Sequence, residues 1–269
     1  MRQEMRKRGT VLLLVCACVL GLAGCADVTA KKLVDAAAKN MEKEESFANT
    51  VRLDIQVEGV VNTMGVSMEM DMASTANPRA GHAKGTAKVN MNGAEVASSL
   101  EIYQVTEGKE HVTYSSIYDQ WTREVSEGTS HVGVDENFFQ SAKDSMEKFH
   151  LAKETVEVEG KECYQMYGDV PCRELTEFLG EDMIYAFGLL DMPDMEIVQD
   201  MEIPVIFDVY KEEQLPARII VDMKEAVENL YESYGEAENV TDFTIELSFR
   251  DYGEVETITV PEEVKEAVE

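Results

Sequence analysis

The side chains in this chain that could do chemistry are its five cysteines, its four histidines and a large excess of carboxylates. The histidines, His82, His111, His131 and His150, show neither the His-Glu-x-x-His spacing that seats a zinc ion nor a nucleophile motif alongside. With 53 Asp and Glu against 24 Lys and Arg, carboxylate pairs arise by chance, so pairing carries no suggestion of glycoside chemistry. The nearest candidate for a cation site, Asp191, Asp194, Glu196, Asp200 and Glu202, lacks the spacing of a calcium loop and offers diffuse cation attraction at most. No glycine-rich phosphate loop is present. The expectation is that the chain is not an enzyme and has no cofactor and no metal site. The formal charge of −29 repels phosphate backbones and excludes nucleic acid as a partner.

The cysteines say more. Arg2, Arg6, Lys7 and Arg8 precede an apolar run from Val11 to Ala23, and Leu22-Ala23-Gly24-Cys25 closes it. A bilayer-spanning helix needs roughly 20 apolar residues, so this run is too short to span and reads as a signal segment. The four residues resemble the lipobox of bacterial lipoproteins. That resemblance implies removal of residues 1–24, a diacylglyceryl thioether on Cys25, and a mature chain tethered to the membrane by its first residue. Two acyl chains make a stable anchor where one does not. Removal takes away four basic side chains and Glu4, shifting the formal charge from −29 to −32. The expected address is the extracytoplasmic face of a bacterial cell membrane, of Gram-positive type.

Cys16 and Cys18 leave with the signal, so Cys163 and Cys172 remain as the only free pair. An extracytoplasmic address allows a disulfide between them, worth about 2.7 kcal/mol on the chain-entropy account. The alternative is two buried thiols.

What must position these residues is one domain. Residues 27–46 have helical periodicity, with Leu33, Val34, Ala37 and Met41 on one face. From Ser46 to Val125 the period is two. Val51, Leu53, Ile55 and Val57 alternate with Arg52, Asp54, Gln56 and Glu58, and further alternating runs are separated by turns, among them Asn92-Gly93. This is an antiparallel meander with one face covered. Helices are expected from Asp135, carrying Phe138, Phe139, Ala142, Met146 and Phe149, and from Pro171, carrying Leu175, Phe178, Leu179, Met183 and Phe187. A shorter helix is expected near Lys224 to Tyr234, ending at Gly235, and further strands lie between the helices. Residues 191–204, rich in Met and ending in Pro204, read as a mobile lid or an exposed loop. The fold class is α+β.

Residue rows in the meander suggest a ligand surface. Met68, Met70 and Met72 lie beside Ala83, Gly85 and Ala87, with Val89 and Met91 continuing the second row. Small side chains leave space that flexible thioethers can line. Ordinary core packing from the helices is the competing reading. Trp121, the only tryptophan, follows Tyr114 and Tyr118 and suits packing at a strand edge.

Phe249-Arg250-Asp251-Tyr252-Gly253, then Ile258-Thr259-Val260-Pro261-Glu262-Glu263, with Leu215-Pro216-Ala217-Arg218 before them, resemble the LolA/LppX-like half-barrel lipoproteins. The resemblance implies a strongly curved antiparallel sheet, a half β-barrel of about 10–11 strands, with helices covering its concave face. It divides the chain into the signal peptide (1–24), the lipidated N-terminus and first helix (25–46), and a single half-barrel domain (47–269). It also implies a cavity for lipid or acyl chains, and it supplies no catalytic residues. Two functions follow as expectations. One is a membrane-anchored binding module for lipid or another apolar ligand. The other is a ligand-free interaction lipoprotein that binds another envelope protein through its acidic surface.

Overall fold

The computed structural model describes residues 28–59, 62–108, 110–117, 120–126, 143–174, 199, 201–235 and 239–268. Helix α1 (Ala30–Met41) begins at Thr29, whose Oγ1 accepts a hydrogen bond from the Lys32 N–H at 3.3 Å. Its buried stripe is Leu33, Val34, Ala37, Ala38 and Met41. Burial of each large side chain there stabilises by about 1.5–3 kcal/mol, so packing rather than intrinsic propensity holds the helix.

The alternating segment forms six antiparallel strands: β1 (Ser46–Glu58), β2 (Thr63–Ala76), β3 (Arg79–Met91), β4 (Ala94–Glu107), β5 (Glu110–Ile117) and β6 (Gln120–Ser126). Asn92 and Gly93, at φ 53° and 82°, make the tight turn between β3 and β4, in the left-handed region that a primed hairpin turn requires. Next come α2 (Lys143–Met146), β7 (His150–Leu151), β8 (Val156–Val158), β9 (Lys161–Pro171), a 3₁₀ turn (Cys172–Glu174), β10 (Glu202–Tyr210), β11 (Pro216–Asp222), α3 (Lys224–Ser233), β12 (Asn239–Arg250) and α4 (Glu262–Glu266).

All strands belong to one open sheet, ordered β6-β5-β4-β3-β2-β1-β12-β11-β10-β9-β7, with β8 also paired to β9. It has twelve strands rather than ten or eleven; β7 is two residues long, too short to register as a periodicity. The first long strand lies beside the last, with Val51 opposite Leu247 and Leu53 opposite Ile245.

One face of this sheet carries the main core. Val51, Leu53 and Val57 of β1, Phe243, Ile245, Leu247 and Phe249 of β12, and Val205 and Phe207 of β10 share it with the buried sides of α1 and α3. The opposite face is largely charged on the central strands. Arg52 reaches Glu69 at 2.8 Å on one side and Glu246 at 3.3 Å on the other. Farther out, the same opposite face has its own small core. Tyr103, Val112 and Tyr114 are buried under Val260 and Val264, with Trp121 packed alongside. Helix α4, which periodicity does not foreshadow, is therefore a strap across β4–β6. Trp121 takes the packing role expected of it.

Three expectations need correction or restriction. Pro171 ends β9 opposite Glu202 instead of opening a helix, and the described residues that follow it, Cys172–Glu174, form a 3₁₀ turn. Leu175, Phe178, Leu179, Met183 and Phe187 lie outside the described residues, as does the start of the helix expected from Asp135; the short α2 coincides with its end. Residues 202–204 are strand rather than lid. Pro204 pairs with Asp169 on one side only, where the missing N–H costs no ladder bond to β11, and residues 191–198 lie outside the described part. Among the described residues no helix is long and apolar enough to cross a membrane.

Candidate functional site

Strand register brings the eight sequence-selected residues onto one face. Met64 lies opposite Met91, Val66 opposite Val89, Met68 opposite Ala87, Met70 opposite Gly85, and Met72 opposite Ala83. Because directly opposed residues share a side of the sheet, and residues two apart do too, these pairs form a ladder on the face that carries the main core. On the next strand the ladder continues through Ile102, Leu100, Ser98 and Val96, and Ile117 of β5 lies opposite Leu100.

Burial along the ladder is graded. Met70 and Ala83 are buried, whereas Met68, Met72 and Ala87 are half-buried. At the far end Val89, Met91 and Val96 are 38, 55 and 60 % exposed, and Ile117, two strands to the side of Gly85 in the row through Leu100, is 55 % exposed. Single exposed apolar side chains are ordinary on any surface, but four on one side of three adjacent strands make a patch that calls for a function. The face thus runs from closed core to open apolar surface.

The expectation of space beside the small residues is corrected at Gly85. A β-carbon there would fall 2.1 Å from the Glu69 carbonyl oxygen and 2.7 Å from the Met70 Cγ. Glycine is needed because β2 and β3 approach too closely for any side chain, and Met70 fills the room above. Ala83 is equally enclosed. Toward the open end, exposure along the ladder begins at Met68 and Ala87.

At the closed end sits a residue that the sequence reading missed. Asn49 of β1 lies between Phe249 and Met72, fully buried on the core face. Its Nδ2 donates to the Met72 Sδ at 3.6 Å, a weak acceptor, and its Oδ1 has no hydrogen-bond partner. A buried acceptor left without a donor costs about 1–3 kcal/mol. The signal was present in the sequence as the one polar residue in the inward series Phe47, Asn49, Val51, Leu53.

The two cysteines do not meet. Cys163 and Cys172 are both buried and both free. Cys163 lies near the start of β9 and Cys172 just past its end, nine residues on. At about 3.3 Å per residue they are roughly 30 Å apart, far beyond disulfide reach. Burial pushes the Cys163 thiol up to about 11, and the Cys172 thiol is raised for the same reason. Both belong to the core. Cys25, the expected lipidation residue, lies outside the described residues.

Two cavities among the described residues lie elsewhere and have polar linings. One of about 760 Å³ is bounded by the end of α1 and by the β8–β9 and β10–β11 turns, and is lined by Lys43, Glu44, Glu159, Lys161, Tyr210, Glu213, Arg250, Asp251 and Glu254 among others. Within it Lys161 pairs with Glu213 at 2.9 Å and stands 5.0 Å over the Tyr210 ring. A second, of about 330 Å³, lies at the β1–β2 turn among Gln56, Glu58, Ser67, Lys88, Asn90 and Glu95. Neither includes Met68, Met70 or Met72. No group of three or more His, Cys, Asp or Glu among the described residues could hold a metal ion.

A family profile described as a family of unknown function, DUF6612, matches residues 29–269. Comparison with curated proteins gives no match. Among solved structures, the chain is similar to LprF from Mycobacterium bovis, at 11 % identity and a TM-score of 0.49, over 86 % of this chain and 96 % of that one. It is also similar to a DUF1329 family protein from Desulfovibrio piger ATCC 29098, at 9 % identity and a TM-score of 0.23, over 85 % and 95 % of the two chains. At those scores neither likeness carries an argument about ligand or role.

Proposed function

The chain belongs to the DUF6612 family, whose function is unknown, and we propose that it is a membrane-anchored extracytoplasmic lipoprotein that binds the acyl chain of a lipid on the methionine ladder of β2 and β3. In this reading the sheet bends into the half-barrel implied by the LolA/LppX resemblance, and the apolar face becomes its lining. The observation that carries the proposal is the graded face, closed at Met70 and Ala83 and open at Val89, Met91, Val96 and Ile117. An acyl chain is the occupant chosen for two reasons. The lipobox-like segment ending at Cys25 puts the mature chain beside a bilayer, and flexible thioethers adapt to a ligand without fixed shape. The strongly acidic remainder of the surface repels anionic headgroups, so binding falls to the apolar part of the lipid.

The test is native mass spectrometry with organic extraction on residues 26–269, which contain every described element and lack the anchor cysteine. A defined added mass that extracts as lipid, and that falls away in Met68→Asp and Ala87→Asp variants, is the expected result. A clean apo mass that stays unchanged after incubation with phospholipid and fatty acid overturns the reading.

A second reading has one observation in its favour. The 760 Å³ cavity holds five carboxylates against three cations among its lining residues, which suits a basic segment of another envelope protein. Capture of one defined partner that is lost at high salt, and lost again in a Glu159→Lys variant, would favour this reading.

A further inference from the structure

We infer that Asn49 is the polar anchor of this site, and that the ligand is a long-chain compound bearing a hydrogen-bond donor, such as a hydroxyl, near the end it places deepest. The inference rests on the acyl-binding reading above and specifies what that reading leaves open.

Three features of the structure converge. Asn49 Oδ1 is buried without a partner, on the same face as the methionine ladder. The orientation of the amide is fixed by chemistry: thioether sulfur accepts and cannot donate, so Nδ2 faces Met72 and the oxygen is the atom left over. A hydroxyl or amide N–H supplies what that oxygen lacks, whereas a carboxylate or ether does not.

The path is the second feature. From Asn49 to Ile55, which lies level with Val66 and Val89, is six residues of strand. At about 3.3 Å per residue that is roughly 20 Å, the length of an extended long acyl chain. Along it the ladder passes half-buried Met72, buried Met70 and half-buried Met68, so a chain anchored at Asn49 takes the place that the Met70 side chain now fills and leaves its far end at the exposed patch.

The third feature is Met72. It accepts the one hydrogen bond that the Asn49 amide makes among the described residues, it is half-buried, and an unbranched thioether swings between rotamers at low cost. Its displacement, together with that of Met70, opens the path to the Asn49 amide and breaks only a weak hydrogen bond.

The experiment measures binding of 1-hexadecanol and its methyl ether, a pair that differs in the donor, to residues 26–269 in wild-type form and as Asn49→Leu and Asn49→Ser variants. Wild type is expected to favour the alcohol by about tenfold, the effect of one hydrogen bond to a buried acceptor. Asn49→Leu is expected to bind both alike, at the wild-type affinity for the ether. Asn49→Ser, which keeps an acceptor in less volume, is expected to retain part of the preference. If wild type binds both equally, or if the preference survives in Asn49→Leu, the anchor role is overturned while acyl binding stands. If neither compound binds wild type, acyl binding itself fails and the anchor with it. The wild-type comparison decides the question even if a variant does not fold.

Discussion

Arg218 on β11 holds Asp208 on β10 from its side of the sheet, with Nε and Nη2 both 2.8 Å from Oδ2, while Gln165 of β9 donates to Oδ1 at 3.0 Å. Asp208 is fully buried and Arg218 one-quarter exposed. Burial raises the Asp208 carboxyl above its ordinary range, against the pull of Gln165 and Arg218. Removing one member of such a pair costs more than removing both, because the remaining charge loses its compensation. Asp208→Ala is expected to cost about 3 kcal/mol, the low end of the range for a broken buried pair, since Arg218 can still reach water. The double variant Asp208→Leu with Arg218→Met is expected to recover most of the loss. Urea unfolding of the three proteins checks both.

Gly85 gives the sharpest packing prediction. With the Glu69 carbonyl 2.1 Å from where a β-carbon would lie, Gly85→Ala must push β2 and β3 apart. The expected cost is about 2 kcal/mol, in the range for overpacked sites. Ala87→Gly, two residues along the same ladder, is expected to cost about 1 kcal/mol. A thermal-unfolding comparison that ranks the two in the opposite order contradicts the packing described for Met70.

The two thiols are expected to stay silent. In the folded protein lacking Cys25, a thiol reagent at pH 8 should label neither Cys163 nor Cys172, because both are buried and the Cys163 thiol is pushed up to about 11. After denaturation both should react, and reductant should add nothing to the count. Labelling that requires reductant would mean a disulfide.

Glu101 links acid sensitivity to the strapped end of the sheet. Burial opposes its ionisation, but hydrogen bonds from Lys84, His82 and Tyr103 hold its carboxyl below the ordinary range. A depressed carboxyl contributes stability that is present above its unfolded-state value and lost as pH falls through the folded one. Glu101→Gln is therefore expected to melt below wild type at pH 7, with the gap closing under acidic conditions below about pH 4. A gap that persists at low pH would trace to packing rather than charge.

Helix α4 can be removed by charge. Val260→Asp with Val264→Asp places carboxylates against Tyr103, Val112 and Tyr114, and Trp121 should report the loss of cover as a red-shifted, more quenchable fluorescence. The main core does not include these residues. The far-ultraviolet spectrum is expected to change little.

Much of this architecture was legible residue by residue. The alternation of Val51, Leu53, Ile55 and Val57 marks both β1 and its inward face, and Leu33, Val34, Ala37 and Met41 mark the stripe of α1. The two rows Met68 to Met72 and Ala83 to Met91 were readable because one hairpin pairs these residues, and the turn residues set its register. The order of the meander β1–β6 was readable from its short turns, but the placing of β12 beside β1 and the order of β9–β11 were not, since periodicity identifies strands and says nothing about which distant strand becomes whose neighbour. β7 and α4 are too short to repeat a pattern. Pro171 is ambiguous by nature, suiting a helix start as well as a strand end, and that ambiguity hid the fact that Cys163 and Cys172 are held apart by the length of β9. Asn49 was overlooked because a single polar residue in an apolar series looks like a break in the pattern until its neighbours are known.

The pairing of β1 with β12 also bears on how the molecule is made. The meander β2–β6 and the strands β9–β11 flank a seam whose two sides are separated by nearly the whole domain: Ala48 waits for Arg250 and Glu58 for Asn239. Contacts so distant in sequence are slow to form, because the loop must close before the pairing rewards it. A chain still emerging from a ribosome can assemble hairpins on one side, but it cannot complete the sheet until its final strand is available. If the chain is exported unfolded, as the proposed lipoprotein role requires, that delay is an asset.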